Sequence, residues 1–266
     1  MTVQVGVFGA NGRMGRMLIK AVTEDAQMVL ATAGCRAGSA LIGQDAGVLA
    51  GMQPLGVRLS ERLADVLKAD VAIDFTLPDA TLAHATAAAE AGTPLVIGTT
   101  GLSNQQEATL SSLAATVPIV YAPNMSVGVN LLLALVEQVA ATLDQGWDIE
   151  IVEMHHNRKV DAPSGTAVGL GRAAASGRAR RFDDVAVLSR EGHTGPRVPG
   201  QIGFATLRGG DVIGEHTVVF AGPGERVELG HRASGRHVFA NGAVTAARWV
   251  VGREPGLYSM RDVLGL

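Results

Sequence analysis

The stretch "VQVGVFGANGRMGRMLIKAV" (residues 3–22) decides the fold. Val3 to Phe8 form a short, β-branched apolar run of the kind that is buried in a parallel sheet. A turn with Gly9, Gly12 and Gly15 follows directly, and apolar residues then recur at helical spacing. A strand, a glycine-rich turn and a helix in this order are typical of a dinucleotide-binding fold, because the pyrophosphate lies on backbone N–H groups at the helix N-terminus.

The alternation of strands and helices continues along the first half of the chain. Four further apolar runs are predicted strands: MVLATAG (28–34), VAIDFT (71–76), PLVIGTTG (94–101) and PIVYAPN (118–124). After about residue 126 the pattern changes to alternating segments joined by short glycine-containing turns, which predicts an open, mixed or antiparallel sheet. A last helix, "FANGAVTAARWVVG", and the tail after it have apolar faces that we expect to pack on the first domain.

These patterns predict an α/β protein with two domains. Residues 1–126 together with 237–266 are expected to form a Rossmann-type dinucleotide-binding domain. Residues 127–236 are expected to form a second, α+β domain built on an open mixed sheet.

Composition limits the classes of partner. The 266-residue chain has a formal net charge of −3, without the basic excess that nucleic-acid-binding domains usually carry. No run reaches the about 18 consecutive apolar residues of a transmembrane helix, and the amino terminus lacks the pattern of a signal peptide. We therefore expect a cytoplasmic protein with neither a nucleic-acid nor a membrane partner. Cys35 is the only cysteine, which excludes an intrachain disulfide and a cysteine-rich metal site.

The segment "EMHHNRKVDAPSGTA" (residues 153–167) concentrates polar chemistry in a chain that is only 18% charged. Ser164, Gly165 and Thr166 are predicted to form the first turn of a helix, whose free N–H groups make an anion site. Lys159 and His156 add positive charge beside this anion site, and Arg158 is a further candidate. We therefore expect an anionic substrate, most simply a carboxylate.

Two alternative interpretations of this segment are weaker. In the first alternative, Ser164 and Thr166 only cap a helix and the histidines face solvent. Capping does not explain why four of the five residues 155–159 are cationic or titratable. A metal site on His155 and His156 is disfavoured, because adjacent residues of a strand point to opposite faces. We therefore predict no metal.

The end of the second strand bears on the cofactor. Many NAD-binding enzymes place an acidic residue there to bind the adenosine ribose hydroxyls, whereas this chain has Cys35 and Arg36. An arginine suits a 2′-phosphate better. The sequence therefore favours NADPH, with NADH possible as the cofactor.

A set of motifs in fixed order gives a resemblance to a known family: GANGRMG, IDFT, VIGTTG, APNMSVGVN, EMHHNRKVDAPSGTA, SREGHTG, IGFATLRGGDVIGEHTVVFAG and FANGAVTAARW. Over essentially its whole length the chain resembles the 4-hydroxy-tetrahydrodipicolinate reductase (dihydrodipicolinate reductase) family of lysine and diaminopimelate biosynthesis. The resemblance implies NAD(P)H-dependent reduction of 4-hydroxy-tetrahydrodipicolinate to tetrahydrodipicolinate, by hydride transfer to the ring followed by protonation. It also implies that the second domain binds a small dicarboxylate substrate and forms a homotetramer.

The resemblance also implies roles for individual residues. The catalytic pair falls on His155 and Lys159, whose division of roles stays open. The substrate-binding residues are His156, Ser164, Gly165 and Thr166. The cofactor-binding residues are Gly9, Ala10, Asn11, Gly12, Arg13 and Met14 at the pyrophosphate, Arg36 at the adenosine ribose, and Gly98, Thr99, Thr100, Ala122, Pro123, Asn124 and Met125 on the nicotinamide side. Many members carry an acidic residue at the position of Cys35, so this departure again favours NADPH.

Three rival functions remain at this stage. An aldehyde-oxidising enzyme of similar plan needs a cysteine nucleophile in the second domain, and Cys35 lies elsewhere. An amino-acid dehydrogenase is compatible with the fold, although the cationic turn favours a dicarboxylate. A catalytically silent dinucleotide sensor is disfavoured by the presence of His155, Lys159 and the Ser-Gly-Thr turn together. For His84 and His231 we expect packing roles, and for His193 and His216 structural hydrogen bonds.

Overall fold

The computed structural model describes residues 2–266, which divide into two compact units. The first unit runs through Val127 and resumes at His237–Gly265, and the second is Gly128–Arg236. In the described part of the chain, no helix is both long enough and apolar enough to cross a membrane.

The secondary structure alternates strands and helices in the first unit and is dominated by longer strands in the second. The strands are β1 (Val3–Phe8), β2 (Met28–Gly34), β3 (Leu59–Ser60), β4 (Val71–Asp74), β5 (Leu95–Ile97), β6 (Pro118–Tyr121), β7 (Asp148–His155), β8 (Ala186–Val187), β9 (Ile202–Arg208), β10 (Gly214–Gly222), β11 (Glu225–Ala233) and β12 (Gly256–Tyr258). The helices are α1 (Arg13–Glu24), α2 (Ala46–Leu49), α3 (Leu63–Val66), α4 (Pro78–Ala91), α5 (Asn104–Leu113), α6 (Val127–Thr142), α7 (Gly165–Gly177), α8 (Phe182–Val185), α9 (His237–Val250) and α10 (Met260–Leu264).

The first unit is built on a parallel sheet with the strand order β12-β6-β5-β4-β1-β2-β3. Strand β1 lies between β2 and β4 and pairs with both in parallel. The chain therefore reverses its direction of winding at β1, and the carboxyl ends beside such a reversal are where dinucleotides bind. The buried apolar runs explain the sheet, since Val5, Val7 and Ile73 are fully buried. This sheet confirms the predicted Rossmann-type fold.

The end of the chain completes the first unit. Helix α9 packs against α1 and against strands β4, β5 and β6, and β12 adds a parallel strand beside β6. The sequence predicted this packing but neither β12 nor β3. Both strands are short and only partly buried, and they pair with strands that are distant in the chain.

The second unit is built on a mixed sheet with the strand order β11-β10-β7-β9-β8. Strand β7 pairs in parallel with β9 and antiparallel with β10, which confirms the predicted mixed sheet. Alternate residues of β7 are buried, and Ile149 and Ile151 belong to the core together with Leu170 of α7. Glu153 and His155 continue this buried face at the end of the strand, so two polar side chains point toward the core side.

Candidate active site

The glycine turn after β1 has the geometry of a phosphate cradle. Gly9 adopts a positive φ of 61°, and the N–H of Gly12 donates to its carbonyl oxygen at 2.9 Å. A Cβ at Gly15 would overlap that same oxygen, so the helix lies close to the turn only because Gly15 has no side chain. Within the described chain, Gly12 caps α1 without any side-chain hydrogen bond. The N-terminal N–H groups of α1 therefore fit the pyrophosphate of a dinucleotide.

The carboxyl ends of β1 and β4 are adjacent. A Cβ at Gly9 would lie 2.7 Å from Cγ2 of Thr76, which follows β4. The hydroxyl oxygen of Thr99 accepts from Thr76 N–H at 3.0 Å and from the Thr81 hydroxyl at 2.7 Å. Thr99 is 3% exposed, so its side chain holds the neighbouring loop instead of facing solvent.

A buried carboxylate lies beneath these loops. Asp74 is fully buried at the end of β4, and its Oδ2 forms a hydrogen bond with His84 Nδ1 at 2.8 Å. Its Oδ1 accepts from Thr76 N–H at 2.8 Å. The ring of His84 also stacks on Phe8 with centroids 4.0 Å apart. His84 therefore packs as expected and in addition contacts the carboxylate that orders the loop after β4.

The loop after β6 is held from two sides. Ala122 N–H donates to the carbonyl of Ile97 at 3.1 Å, which ties the loop to the end of β5. On the other side, a Cβ at Gly242 of α9 would overlap the carbonyl oxygen of Met125. Every predicted nicotinamide-side residue therefore follows β5 or β6 at the same edge of the sheet as the glycine turn.

The two residues after β2 that bear on cofactor choice differ in their exposure to solvent. Cys35 is buried, and burial raises the pKa of its thiol, against a lowering by the Ser39 hydrogen bond. The thiol is therefore a poor nucleophile. Arg36 is exposed. No sequence pattern indicates that Glu61 belongs to this region. Its carboxylate accepts a hydrogen bond from the Gly38 N–H at 2.9 Å, although the two residues are 23 positions apart in the chain.

In the second unit, His155 is bound to a buried carboxylate. Its Nδ1 lies 2.5 Å from Oε2 of Glu153, which is 1% exposed. Burial raises the pKa of Glu153, but hydrogen bonds from Arg208, His155 and the Ser164 N–H outweigh it, so the net shift is downward. Burial is the largest cause that lowers the pKa of His155, and the charges of Lys159 and Arg208 lower it further; against the raising effect of Glu153, the net shift is downward. The ring is therefore neutral, with its proton on Nδ1 facing the ionised carboxylate.

Ser164 caps α7 from inside the protein. It is 1% exposed, and its hydroxyl oxygen accepts from Ala167 N–H at 3.1 Å. The hydroxyl also forms a hydrogen bond with Nε2 of His216 at 3.1 Å, as expected for a structural histidine. Burial is the main cause that lowers the pKa of His216 to about 4.

Lys159 lies beside the N-terminus of α7. Its Nζ is 2.7 Å from Oδ1 of Asp161. Burial raises the pKa of Asp161, but the Lys159 ammonium and the N–H of Gly165 lower it further, so this carboxylate is ionised. Asp161 therefore lies where a lysine and a helix N-terminus offer their donors to an anion.

The two adjacent histidines diverge. His155 is 8% exposed, whereas His156 is partly exposed beyond the end of β7 and donates its N–H to Val212 O at 2.7 Å. Its Nδ1 accepts from Arg158 N–H at 3.3 Å. The positive charge of Lys159 contributes to lowering the pKa of His155, so these two predicted catalytic side chains are within electrostatic reach of each other.

Comparison with known proteins agrees with this geometry. Residues 3–125 match the family model described as dihydrodipicolinate reductase, N-terminus, and residues 128–264 match the model described as dihydrodipicolinate reductase, C-terminus. Proteins named 4-hydroxy-tetrahydrodipicolinate reductase are similar over nearly the whole chain. The one from Thiobacillus denitrificans is 54% identical, covering 100% of both chains. The one from Rhodopseudomonas palustris is 56% identical, covering 98% of this chain and 96% of its own.

Solved structures show the same fold. A dipicolinate-bound dihydrodipicolinate reductase from Paenisporosarcina sp. TG-14 superposes with a TM-score of 0.78 at 24% identity, covering 98% of this chain and 99% of its own. An amine dehydrogenase from Mycobacterium smegmatis superposes with a TM-score of 0.63 at 14% identity, covering 98% and 95%.

The Rossmann-type unit with its phosphate cradle, together with these matches, defines the class of protein as an oxidoreductase that uses NAD(P)H. Within that class, the chain belongs to the dihydrodipicolinate reductase family. The resemblance predicted from the motifs is confirmed.

Proposed function

We propose that this chain catalyses the NAD(P)H-dependent reduction of 4-hydroxy-tetrahydrodipicolinate to tetrahydrodipicolinate in lysine and diaminopimelate biosynthesis. One observation carries the proposal: the Asp161 carboxylate lies 2.7 Å from Lys159 Nζ, and the Gly165 N–H at the start of α7 is a second donor that lowers its pKa. A carboxylate of the substrate needs these same two donors. Family membership supplies the identity of the dicarboxylate.

The substrate-binding residues would be His156 and the turn from Ser164 to Thr166. The side chain and the N–H of Ser164 already have partners within the protein. We therefore assign Ser164 a supporting part, in which it fixes the first turn of α7, and we assign direct carboxylate binding to Gly165, Thr166 and Lys159.

The overall reaction adds a hydride and a proton to the substrate and releases the ring hydroxyl as water. When bound, the reduced nicotinamide supplies the hydride. The proton would come from the Lys159 ammonium, directly or through Nε2 of neutral His155, whose lone pair can receive it; both side chains lie beside the proposed carboxylate site. The desolvated surroundings of His155 keep its ring neutral until the reaction creates negative charge nearby.

The cofactor-binding residues proposed from the resemblance are Gly9 to Met14, Arg36, Gly98 to Thr100 and Ala122 to Met125. We further propose a preference for NADPH over NADH. Its support is the exposed guanidinium of Arg36 at the end of β2, where the neighbouring Cys35 is buried and carries no carboxylate. Glu61 belongs to the same region but is engaged by Gly38 N–H.

The remaining proposals concern the oligomeric state and the location in the cell. A homotetramer formed through the second unit is supported by strand β11, which is an edge strand of the mixed sheet and can pair with another copy. The cytoplasmic location stays a prediction from the sequence.

The test is reduced-cofactor consumption with substrate generated in place from pyruvate and aspartate semialdehyde by the upstream synthase. We expect oxidation of NADPH at a higher kcat/KM than NADH. Lys159→Ala and His155→Ala should each lose turnover by roughly 100-fold or more, whereas the exposed His193→Gln should match wild type. Absence of turnover with both cofactors, in a protein that still binds them, would refute the proposal.

A further inference from the structure

The carboxylate of Glu153 joins two parts of the candidate site. Its Oε2 contacts His155 Nδ1 at 2.5 Å, and its Oε1 accepts from the Ser164 N–H at 3.0 Å. The first contact holds the ring of a predicted catalytic residue. The second holds the N-cap of α7, where the substrate carboxylate is proposed to bind. The buried side chain of Glu153 therefore sets the distance between the His155 ring and the first turn of α7.

Arg208 makes this arrangement stable. It binds the carboxylate in a bidentate manner, with Nη1 to Oε2 at 2.8 Å and Nη2 to Oε1 at 2.9 Å. The same guanidinium donates to the carbonyl of Asp161 at 2.6 Å. A carboxylate that is 1% exposed would be strongly destabilising without such a partner.

The register of the sheet produces the cluster. His155 lies opposite Arg208 in the parallel pair of β7 and β9, and His216 lies opposite Glu153 in the antiparallel pair of β7 and β10. Because Glu153 and His155 are two positions apart on one strand, their side chains share a face. No movement of a loop is needed to bring them together.

We propose that Glu153 is a positioning residue for the reduction, which makes this inference rest on the proposed function. It keeps the proton of neutral His155 on Nδ1, so that Nε2 presents its lone pair, and it fixes the ring relative to the first turn of α7. The interaction resembles in kind the carboxylate that orients a catalytic histidine in other enzymes, where the carboxylate selects the tautomer and does not take the proton.

Charged and titratable groups from each neighbouring element face His155. They are Glu153 on β7, Lys159 on the following loop, Arg208 on β9 and His216 on β10. The two cations disfavour the imidazolium form, and Glu153 favours it. Removal of the Glu153 charge should therefore move any His155-dependent limb of the pH profile to lower pH.

The test compares Glu153→Gln with wild type and with Glu150→Gln as the matched control. Glu150 is on the same strand, and its carboxylate is likewise bound by arginine, with two hydrogen bonds from Arg190 and one from Arg197. We expect Glu153→Gln to lower kcat at least tenfold, with a smaller change in KM and an unchanged Kd for NADPH. Glu153→Asp should recover part of the loss. Glu150→Gln should keep the wild-type kcat and pH profile.

A second readout does not depend on turnover. In 15N-histidine-labelled protein, assigned by comparison with His155→Gln, the wild-type ring should show a protonated Nδ1 and an unprotonated Nε2. Glu153→Gln should show a mixture of tautomers. If this variant unfolds, the double variant Glu153→Gln/Arg208→Met removes both charges of the ion pair, and the same two measurements apply to it.

The outcomes separate the two proposals. If wild type lacks turnover while the tautomer depends on Glu153, the proposed function fails and the positioning of the ring stands. If wild type turns over and the variants keep both its kcat and its tautomer, the carboxylate is only structural and the inference is wrong.

Discussion

Gly214 of β10 lies against the ring of His155. A Cβ at this position would be 3.0 Å from His155 Nε2 and 3.4 Å from Cδ2. The backbone of Gly214 does not adopt a positive φ, so conformational freedom is not the reason for glycine here. The missing side chain instead gives the imidazole the room in which Glu153 holds it.

Gly214→Ala should therefore displace the ring of His155. The ring must shift by a few tenths of an ångström, and the contact with Glu153 must lengthen or tilt. We expect kcat/KM to fall roughly tenfold, because small displacements of reacting groups are costly. Gly230→Ala on β11 is the control, since its nearest atoms would be at an ordinary 3.6 Å. Equal activity of the two variants would contradict this explanation.

His216 predicts an acid-sensitive stability. Burial and the nearby positive charge lower its pKa to about 4 in the folded protein, against about 6.5 when unfolded. Stability from this group is therefore complete above pH 6.5 and is lost as the pH falls toward 4, by about 3 kcal/mol. Urea unfolding from pH 7 to 4 should show a shallower pH dependence for His216→Gln than for wild type. His193→Gln, at an exposed site, should leave the dependence unchanged.

The long-strand framework could be predicted from the sequence because it depends on local patterns. Buried apolar runs predict β1, β2, β4, β5 and β6, and alternation predicts β7, β10 and β11. Strands β3 and β12 have no such signal, because they lie in no fully buried apolar run and pair with strands that are distant in the chain.

The candidate site could be predicted only where its parts are close in the chain. His155, Lys159 and Ser164 fall within ten residues, and their chemistry was visible as a cluster. Arg208 binds Glu153 from 55 positions away in the chain, and His216 binds Ser164 from 52 positions away. These contacts depend on how the strands pair, which local sequence patterns do not reveal. Glu153 has a local signal, since strand alternation places it on the same buried face of β7 as His155.

Gly242 allows α9 to touch the loop after β6. Because a Cβ there would overlap the carbonyl of Met125, Gly242→Ala should push the loop from Ala122 to Met125 outward. We expect a loss of stability of about 1 to 3 kcal/mol and a weaker Kd for NADPH, measured by thermal unfolding and by fluorescence titration. Gly169→Ala on α7, where the nearest atom would be 3.6 Å away, should instead be neutral or stabilising. An unchanged Kd for Gly242→Ala would argue against cofactor binding by this loop.

We expect Asp161 to compete with the substrate for Lys159 in the proposed site. Its carboxylate is bound to Lys159 Nζ at 2.7 Å, and the Gly165 N–H contributes to lowering its pKa. Asp161→Asn should lower the Kd of dipicolinate, a planar dicarboxylate, roughly two- to fivefold, because the ion pair that must be displaced is partly exposed and weak. Asp183→Asn removes an exposed charge elsewhere in the same unit and should change the Kd little. Weaker dipicolinate binding by Asp161→Asn would show that this carboxylate supports the site instead.

Arg36 should determine the preference between the two cofactors. The two nucleotides differ by the 2′-phosphate on the adenosine ribose, and Arg36 is the exposed cation directly after β2, where that ribose binds in such folds. A charge-assisted hydrogen bond contributes about 1.5 to 3 kcal/mol, so Arg36→Ala should weaken NADPH binding roughly 10- to 100-fold and leave NADH nearly unchanged. Lys20→Ala removes an exposed positive charge from α1 and controls for net charge. Isothermal titration at two salt concentrations measures the affinities for both cofactors. The difference in NADPH affinity between wild type and Arg36→Ala should be smaller at the higher salt concentration. An equal loss for both cofactors would mean that Arg36 supports the loop after β2 and does not recognise the phosphate, and Glu61, which holds Gly38 in that loop, would then be the residue to vary next.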